Sequence, residues 1–259
     1  MNQDDFRCMR RGQQLATLTP QDSQLLRGFS QRNQHKKRAL LLLHGFSSSP
    51  AVFRILFPHL TQYDAVIAPT LPGHGENLTS FSKSKASDWL NAVEQQCTVL
   101  CQEYTAVDVL GLSLGGLLAC HLSRRFSLNH LYLLAPALDL QLSLPLALPL
   151  VSFFQSLGFE RIRANAGNIY EDKYCEIAYR QLPLSPVKEV LNLIKQFQFS
   201  LPQCPTDVFL GKHDRVINSS QVATRFPPLD HIKIHWLANS AHILPLDGDI
   251  EHIIECLRK

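Results

Sequence analysis

Val107-Asp-Val-Leu-Gly-Leu-Ser113-Leu-Gly-Gly116 joins a β-prone run, Ala106 to Leu110, to an apolar segment of helical character, Leu117 to Leu122. The pattern Gly-x-Ser-x-Gly in this context predicts a sharp strand-to-helix turn with the serine at its apex. So tight a turn forces the serine into a strained backbone conformation. Gly111 and Gly115 lie two residues to either side, where a Cβ would collide across the strand-helix crossing. The turn would hold Ser113 Oγ clear of the backbone at the mouth of a sheet. Neighbouring N–H groups at the helix N-terminus would face any negative charge forming there. The pattern also arises by chance, with the serine as a plain helix cap. The decision rests on whether the chain supplies a base, an acid and a second oxyanion donor in the right order.

Upstream, Ala39 to Leu43 is a continuous apolar run, as in a strand buried on both faces of a parallel sheet. It ends in His44-Gly45-Phe46. Ser49 followed by Pro50 predicts a helix over about 50–60. Tyr63 to Pro69 reads as a strand, broken by Leu71-Pro-Gly-His74-Gly75. Ser87 can cap a helix over about 88–104, with Trp89, Val93, Cys97, Leu100 and Tyr104 on one face. His130 to Ala135 is a further strand. Strand and helix alternate throughout, which predicts a mostly parallel, doubly wound α/β sheet with its ligand site at the carboxyl ends of the strands. Residues 1–38 read as a polar N-terminal extension, with Leu25 and Leu26 in a candidate edge strand. The main domain is then 39–259.

Residues 139–203 break the alternation: proline recurs, helices read as short, and no sheet strand stands out. Leu144, Leu146, Leu148, Leu150, Val151, Phe153, Phe154, Leu157 and Phe159 make the segment greasy. An insertion of this kind reads as a cap lining a site for an acyl or alkyl group; the alternative is a helical layer of the core. The sheet resumes at Thr206–Leu210 and Ile232–Leu237. Asp247 or Asp249 then opens a last helix with Ile250, Ile253, Ile254 and Leu257 on one face.

The chain has 259 residues, enough for one large domain. A net charge of +3, weak and dispersed, argues against nucleic acid as a partner. The run His35-Lys-Lys-Arg38 reads as a solvated approach to a strand. Seven cysteines, with no Cys-x-x-Cys and no Cys/His cluster at metal-ligand spacing, point to a reducing, cytoplasmic setting and to no bound metal. Cys97 and Cys101 read as small hydrophobes on a helix. The N-terminus lacks the apolar core of a signal peptide. Leu142 to Phe154 is too short to span a bilayer.

A serine hydroxyl needs a base within hydrogen-bond reach, and the base needs an orienting carboxylate. Asp214 follows a strand in a Gly-x-x-Asp turn, and His242 lies between the last strand and the final helix. Asp139, just after an earlier strand, is a rival acid, and Asp214 could be a plain turn aspartate. Asp207 reads as an ordinary polar position. Phe46 N–H and Leu114 N–H are the candidate oxyanion donors, with Gly45 letting the first loop turn inward. His44 and His74 read as structural.

Taken together, Leu-Leu-His-Gly-Phe, Leu-Pro-Gly-His-Gly, Gly-Leu-Ser-Leu-Gly-Gly, Gly-x-x-Asp and Ser-x-His resemble the bacterial carboxylesterase and monoacylglycerol lipase branch of the α/β-hydrolase superfamily. The resemblance spans about residues 39–258 and implies an α/β-hydrolase fold with a helical cap insertion. It implies Ser113 as nucleophile, Asp214 as acid, His242 as base, and Phe46 and Leu114 as oxyanion donors. The activity implied is cofactor-free hydrolysis of a small-molecule carboxylic ester with an apolar acyl chain. Two departures stand out: Leu114 where methionine is frequent, and Ser47-Ser48 where a Thr-Gly pair is usual. The same triad would also serve a thioester, lactone, amide or C–C bond. A non-catalytic binding protein on a hydrolase fold is the other alternative, whose signature would be a lost triad member.

Overall fold

A computed structural model describes residues 2–258. The chain runs β1 (Phe6–Arg10), β2 (Gln13–Ala16), α1 (Pro20–Leu25), β3 (Phe29–Arg32), β4 (Arg38–Leu43), β5 (Ala65–Ala68), α2 (Leu78–Lys83), α3 (Ala86–Glu103), β6 (Ala106–Leu112), α4 (Leu114–Ser123) and β7 (His130–Leu134). It continues through α5 (Leu144–Ser156), β8 (Arg161–Arg163), β9 (Glu176–Tyr179), β10 (Gln181–Pro183), α6 (Leu184–Gln196), β11 (Thr206–Gly211), α7 (Ser219–Thr224), β12 (Ile232–Leu237) and α8 (Ile250–Leu257). Seven strands form one sheet in the order β12-β11-β7-β6-β4-β5-β3. All neighbours are parallel except β3, which lies antiparallel to β5 at one edge. This is the α/β-hydrolase fold.

The central strands are apolar because helices cover both faces of the sheet. Leu40 to Leu43 of β4, Val109 and Leu110 of β6 and Leu131 to Leu134 of β7 are excluded from solvent. On α3, Trp89, Val93, Cys97 and Leu100 are the buried residues, the face that the spacing predicts. Its entry differs from expectation: the Asp88 carboxylate, not Ser87, closes the first turn by accepting the Lys85 N–H at 3.0 Å.

Four further departures from expectation follow. The helix expected over 50–60 is two 3-10 turns, Pro50–Phe53 and Phe57–His59, each opened by a proline in its first turn. Leu25 and Leu26 end helix α1 rather than forming a strand; the edge strand lies just beyond, at β3. Residues 139–203 hold two 13-residue helices and the short strands β8, β9 and β10, which stay outside the main sheet. Strand β9 instead pairs antiparallel with β1, and a Cys8–Cys175 disulfide joins the two segments, Cα to Cα 5.6 Å. Among the described residues, Cys97, Cys101, Cys120 and Cys204 form no disulfide.

At the end of the sheet where β6 begins, Asp108 is wholly buried. Its carboxylate accepts from Arg38 Nη2 at 2.7 Å, Tyr63 Oη at 2.9 Å and Asn129 Nδ2 at 2.7 Å. Arg38, expected to be solvated, therefore clamps β4 to β6. Replacing Asp108 by Ala leaves these donors without an acceptor. The expected cost is about 3 kcal/mol, the low end for a broken buried pair because Arg38 can still reach water. Urea denaturation checks it; a loss below about 1 kcal/mol would show that the clamp is dispensable.

Candidate active site

Strand β6 ends directly on Ser113, which has φ 54° and ψ −115°. That left-handed value is rare for a residue with a Cβ and stores strain. Hydrogen bonds on both sides hold it. Ser113 N–H donates to Leu134 O at 2.9 Å, and Ser113 O accepts from Gly116 and Ala137 N–H, each at 2.9 Å. A Cβ on Gly115 would overlap the Leu43 carbonyl, and one on Gly111 would overlap the Gly115 carbonyl. Both glycines thus let α4 start directly against the sheet.

Leu114 is the first residue of α4, so its N–H has no partner within the helix. The loop after β4 approaches Ser113 closely: a Cβ on Gly45 would lie 3.3 Å from Ser113 Cβ. Among the described residues, neither Phe46 N–H nor Leu114 N–H donates to a protein acceptor. Ser47, at the position of the unusual serine pair, takes φ 60°. His44 is fully buried and accepts the Leu71 N–H on Nε2 at 3.0 Å, so Nδ1 carries the proton and donates to Gly45 O at 2.9 Å. Burial brings its pKa down to about 4. A neutral imidazole thus ties this loop to the Leu71-Pro-Gly-His74 loop, a structural role. His74 is buried among His44, Phe81 and Trp89.

Asp214 follows β11 and His242 follows β12, on adjacent parallel strands. His242 Nδ1–H donates to Asp214 Oδ2 at 2.9 Å. Because a carboxylate only accepts, this fixes the tautomer of the neutral imidazole, in which Nε2 is bare. Asp214 Oδ1 accepts from Val216 and Ile217 N–H at 2.7 and 2.8 Å, which sets the carboxylate's orientation. Both side chains are almost fully buried. Among the described residues, Ser113 Oγ makes no hydrogen bond to His242; such contacts are often long without substrate. The rival acid Asp139 pairs instead with Arg225 at 3.4 Å. Asp207 is not an ordinary polar residue: it joins His130 and His235 at 2.7 and 2.6 Å.

Three residues with no role in the motifs support this corner. Asn168 Oδ1 accepts from Arg215 N–H at 3.0 Å, and its carbonyl accepts from His242 and Ile243 N–H at 2.9 and 3.1 Å. The Asp247 carboxylate accepts N–H groups of Ala241, Tyr170 and Glu171, each at 2.8 Å. Glu176, buried at the start of β9, accepts the Gly167 N–H at 2.8 Å. Nothing local in the sequence marks Asn168, whose partners lie tens of residues away, or Glu176, whose partner Gly167 lies nine residues before it in a segment without a motif.

Burial pulls the His242 pKa down, but the Asp214 carboxylate, aided by Glu176, outweighs it and the net shift is upward. A folded pKa above the unfolded one means that this pair stabilises the fold at pH below the ordinary imidazole value. The contribution is lost as pH rises through the folded pKa. By NMR titration His242 is expected to titrate above 6.5, and Asp214→Asn to lower it. A wild-type value at or below 6.5 would contradict the electrostatics described.

The sequence pattern described as "Alpha/beta hydrolase family" matches residues 40–250. The chain belongs to the α/β-hydrolase family. It is 26% identical over 225 residues to a thermostable monoacylglycerol lipase of Bacillus sp. (strain H-257), covering 83% of this chain and 87% of that one. It is 23% identical over 218 residues to a carboxylesterase of Bacillus subtilis (strain 168), covering 82% and 87%. Among solved structures, one reported for the metagenome-derived lipolytic enzymes LipS and LipT superposes with a TM-score of 0.80 at 22% identity, covering 90% of this chain and 98% of that one. The protein is thus similar over most of its length to hydrolases of the lipase and esterase type.

Proposed function

We propose that the protein hydrolyses carboxylic esters through an acyl-enzyme on Ser113. The observation that carries this reading is the buried Asp214–His242 hydrogen bond, which leaves Nε2 of the neutral imidazole unprotonated at the carboxyl end of the sheet, the end at which Ser113 also stands. Ser113 Oγ attacks the ester carbonyl carbon while His242 Nε2 takes its proton. Phe46 and Leu114 N–H groups, which meet no protein acceptor among the described residues, receive the oxyanion. His242 then protonates the leaving alcohol, and the acyl group stays on Ser113. Water attacks the acyl-enzyme as His242 again accepts and returns a proton, releasing the acid. Every proton in this cycle is carried by His242, so no cofactor is required. The relatives named as a monoacylglycerol lipase and a carboxylesterase support an ester as the bond cleaved.

Residues 139–203 are the proposed cap over a domain formed by 39–259. Their greasy side chains do not form a closed lining: Leu146 is 73% exposed and Phe153 57%. They offer an open apolar surface to an acyl chain. Among the described residues no helix is long and apolar enough to cross a membrane. A cytoplasmic location fits the cysteines outside the disulfide, whereas the Cys8–Cys175 bond is of the kind that oxidising compartments favour.

Ser113→Ala is expected to abolish p-nitrophenyl ester turnover and fluorophosphonate labelling, with the circular dichroism spectrum unchanged. Turnover near that of wild type would remove Ser113 from the mechanism, and failure of the wild type to label would favour a non-catalytic binding protein. Across a series of acyl chains, kcat/KM is expected to rise by up to about fourfold per methylene, from about 0.8 kcal/mol of burial each. A preference for the shortest chains would show that the cap surface does not receive them.

A further inference from the structure

On the edge strand β12, His235 Nδ1 lies 2.9 Å from His252 Nε2 of helix α8. Cys256 Sγ, one helical turn further on, lies 4.0 Å from the same His252 nitrogen. All three donor atoms fall within 4.8 Å of one another. We propose that His235, His252 and Cys256 form a zinc-binding site, separate from Ser113, Asp214 and His242. No metal-ligand spacing is visible in the sequence because only two of the ligands, four residues apart, share an element. The third comes from a strand 17 residues upstream of His252.

The geometry suits a tetrahedral ion. Bonds of about 2.0–2.1 Å to nitrogen and 2.3 Å to sulfur place nitrogen donors about 3.3 Å apart and a nitrogen and sulfur about 3.6 Å apart. The observed 2.9 and 4.0 Å need adjustments of a few tenths of an ångström, and the His235–Cys256 pair, within 4.8 Å, must close by up to about 1.2 Å. Behind the site, Asp207 Oδ1 lies 2.6 Å from His235 Nε2. This is the carboxylate–histidine arrangement that fixes a ligating imidazole's tautomer and raises its basicity. His235 Nε2–H donates to Asp207, leaving Nδ1 as the metal-facing lone pair. The Phe209 ring, itself buried, stacks on His235 at 4.6 Å and shields one side. His252 is exposed and gives an ion its entry path.

Two imidazoles and one thiolate select a borderline-soft ion, for which Zn2+ is the first choice. On binding, the Cys256 thiol proton goes to solvent, and the proton that His252 donates toward His235 moves to His252 Nδ1. Water completes the fourth position. The ion would clasp the edge strand to the last helix and close the intervening loop, which carries His242, at its base. The alternative is a plain hydrogen-bonded ladder, His130–Asp207–His235–His252, that needs no metal.

Titrating the metal-stripped full-length protein with Co2+ separates the two. A thiolate-to-cobalt charge-transfer band should saturate at one equivalent and be displaced by Zn2+. Cys256→Ser should abolish the band, and His252→Ala, at an exposed position, should weaken binding at least tenfold. Zn2+ at 100 times its Kd should raise the thermal midpoint of the wild type by about 5–10 °C and leave Cys256→Ser unmoved. Absence of the band at millimolar Co2+, or its survival in Cys256→Ser, would overturn the site.

Discussion

The backbone of helix α4 meets the backbone of β4 and β6 with no room for a side chain between them. A single carbon added at Gly115 would occupy the place of the Leu43 carbonyl. That close approach makes the turn at Ser113 as tight as it is, and the tight turn sets φ 54° at a residue with a Cβ. Strain of this kind costs about 1–3 kcal/mol and persists only where the surroundings over-determine it. Here they do. The flanking strands are excluded from solvent, and Ser113 is bonded through both its N–H and its carbonyl. The same geometry leaves the first N–H of α4 without a partner inside the helix beside the serine, so the placements of the proposed nucleophile and of one proposed oxyanion donor follow from one steric fact.

The sheet carries charge at both ends, and the two ends solve the problem differently. At the start of β6, Asp108 is saturated by an arginine, a tyrosine and an asparagine. Nothing there is left to react. At the opposite end, Asp214 spends one oxygen on two backbone N–H groups and the other on His242. The imidazole keeps one nitrogen unprotonated. A buried carboxylate is costly unless its lone pairs are filled. The first cluster is therefore a clamp, and the second is a clamp with one position left open.

The strands of the main sheet were legible wherever both faces are covered, because a run such as Leu40 to Leu43 admits few alternatives. The turn at Ser113 and the loop after β11 were legible for the same reason: each follows such a run, whereas the loop after β12 follows a half-exposed edge strand and was legible from its place before the final helix. The N-terminal residues were not, because their order is borrowed. Strand β1 is organised by β9, about 170 residues away, and β3 by the back of β5. Proline misled at Pro50, where it opens a 3-10 turn and not a helix. Asp207 read as a bland strand residue because neither of its histidine partners is near it in sequence. The greasy stretch of α5 predicted an interior lining, yet its large side chains face outward, since hydrophobicity alone does not say on which side of a helix the neighbour lies.

The segment before β9 gives those N-terminal residues a physical connection to the proposed acid and base. Asn168 holds the Asp214 loop through its side chain and the His242 loop through its carbonyl. Gly167 beside it accepts the Arg11 N–H at 2.5 Å and packs so closely on Met9 that a Cβ would overlap the Met9 carbonyl. Glu176 binds the Gly167 N–H, and its neighbour Cys175 is bonded to Cys8. Strand β1, the Gly167-Asn168 turn and the two loops thus form one continuous set of contacts. Each loop alone would be a flexible connection at a sheet edge. Tied through Asn168, they share one position, and the 2.9 Å contact between Asp214 and His242 is held from outside the sheet as well as by the strands that lead to it.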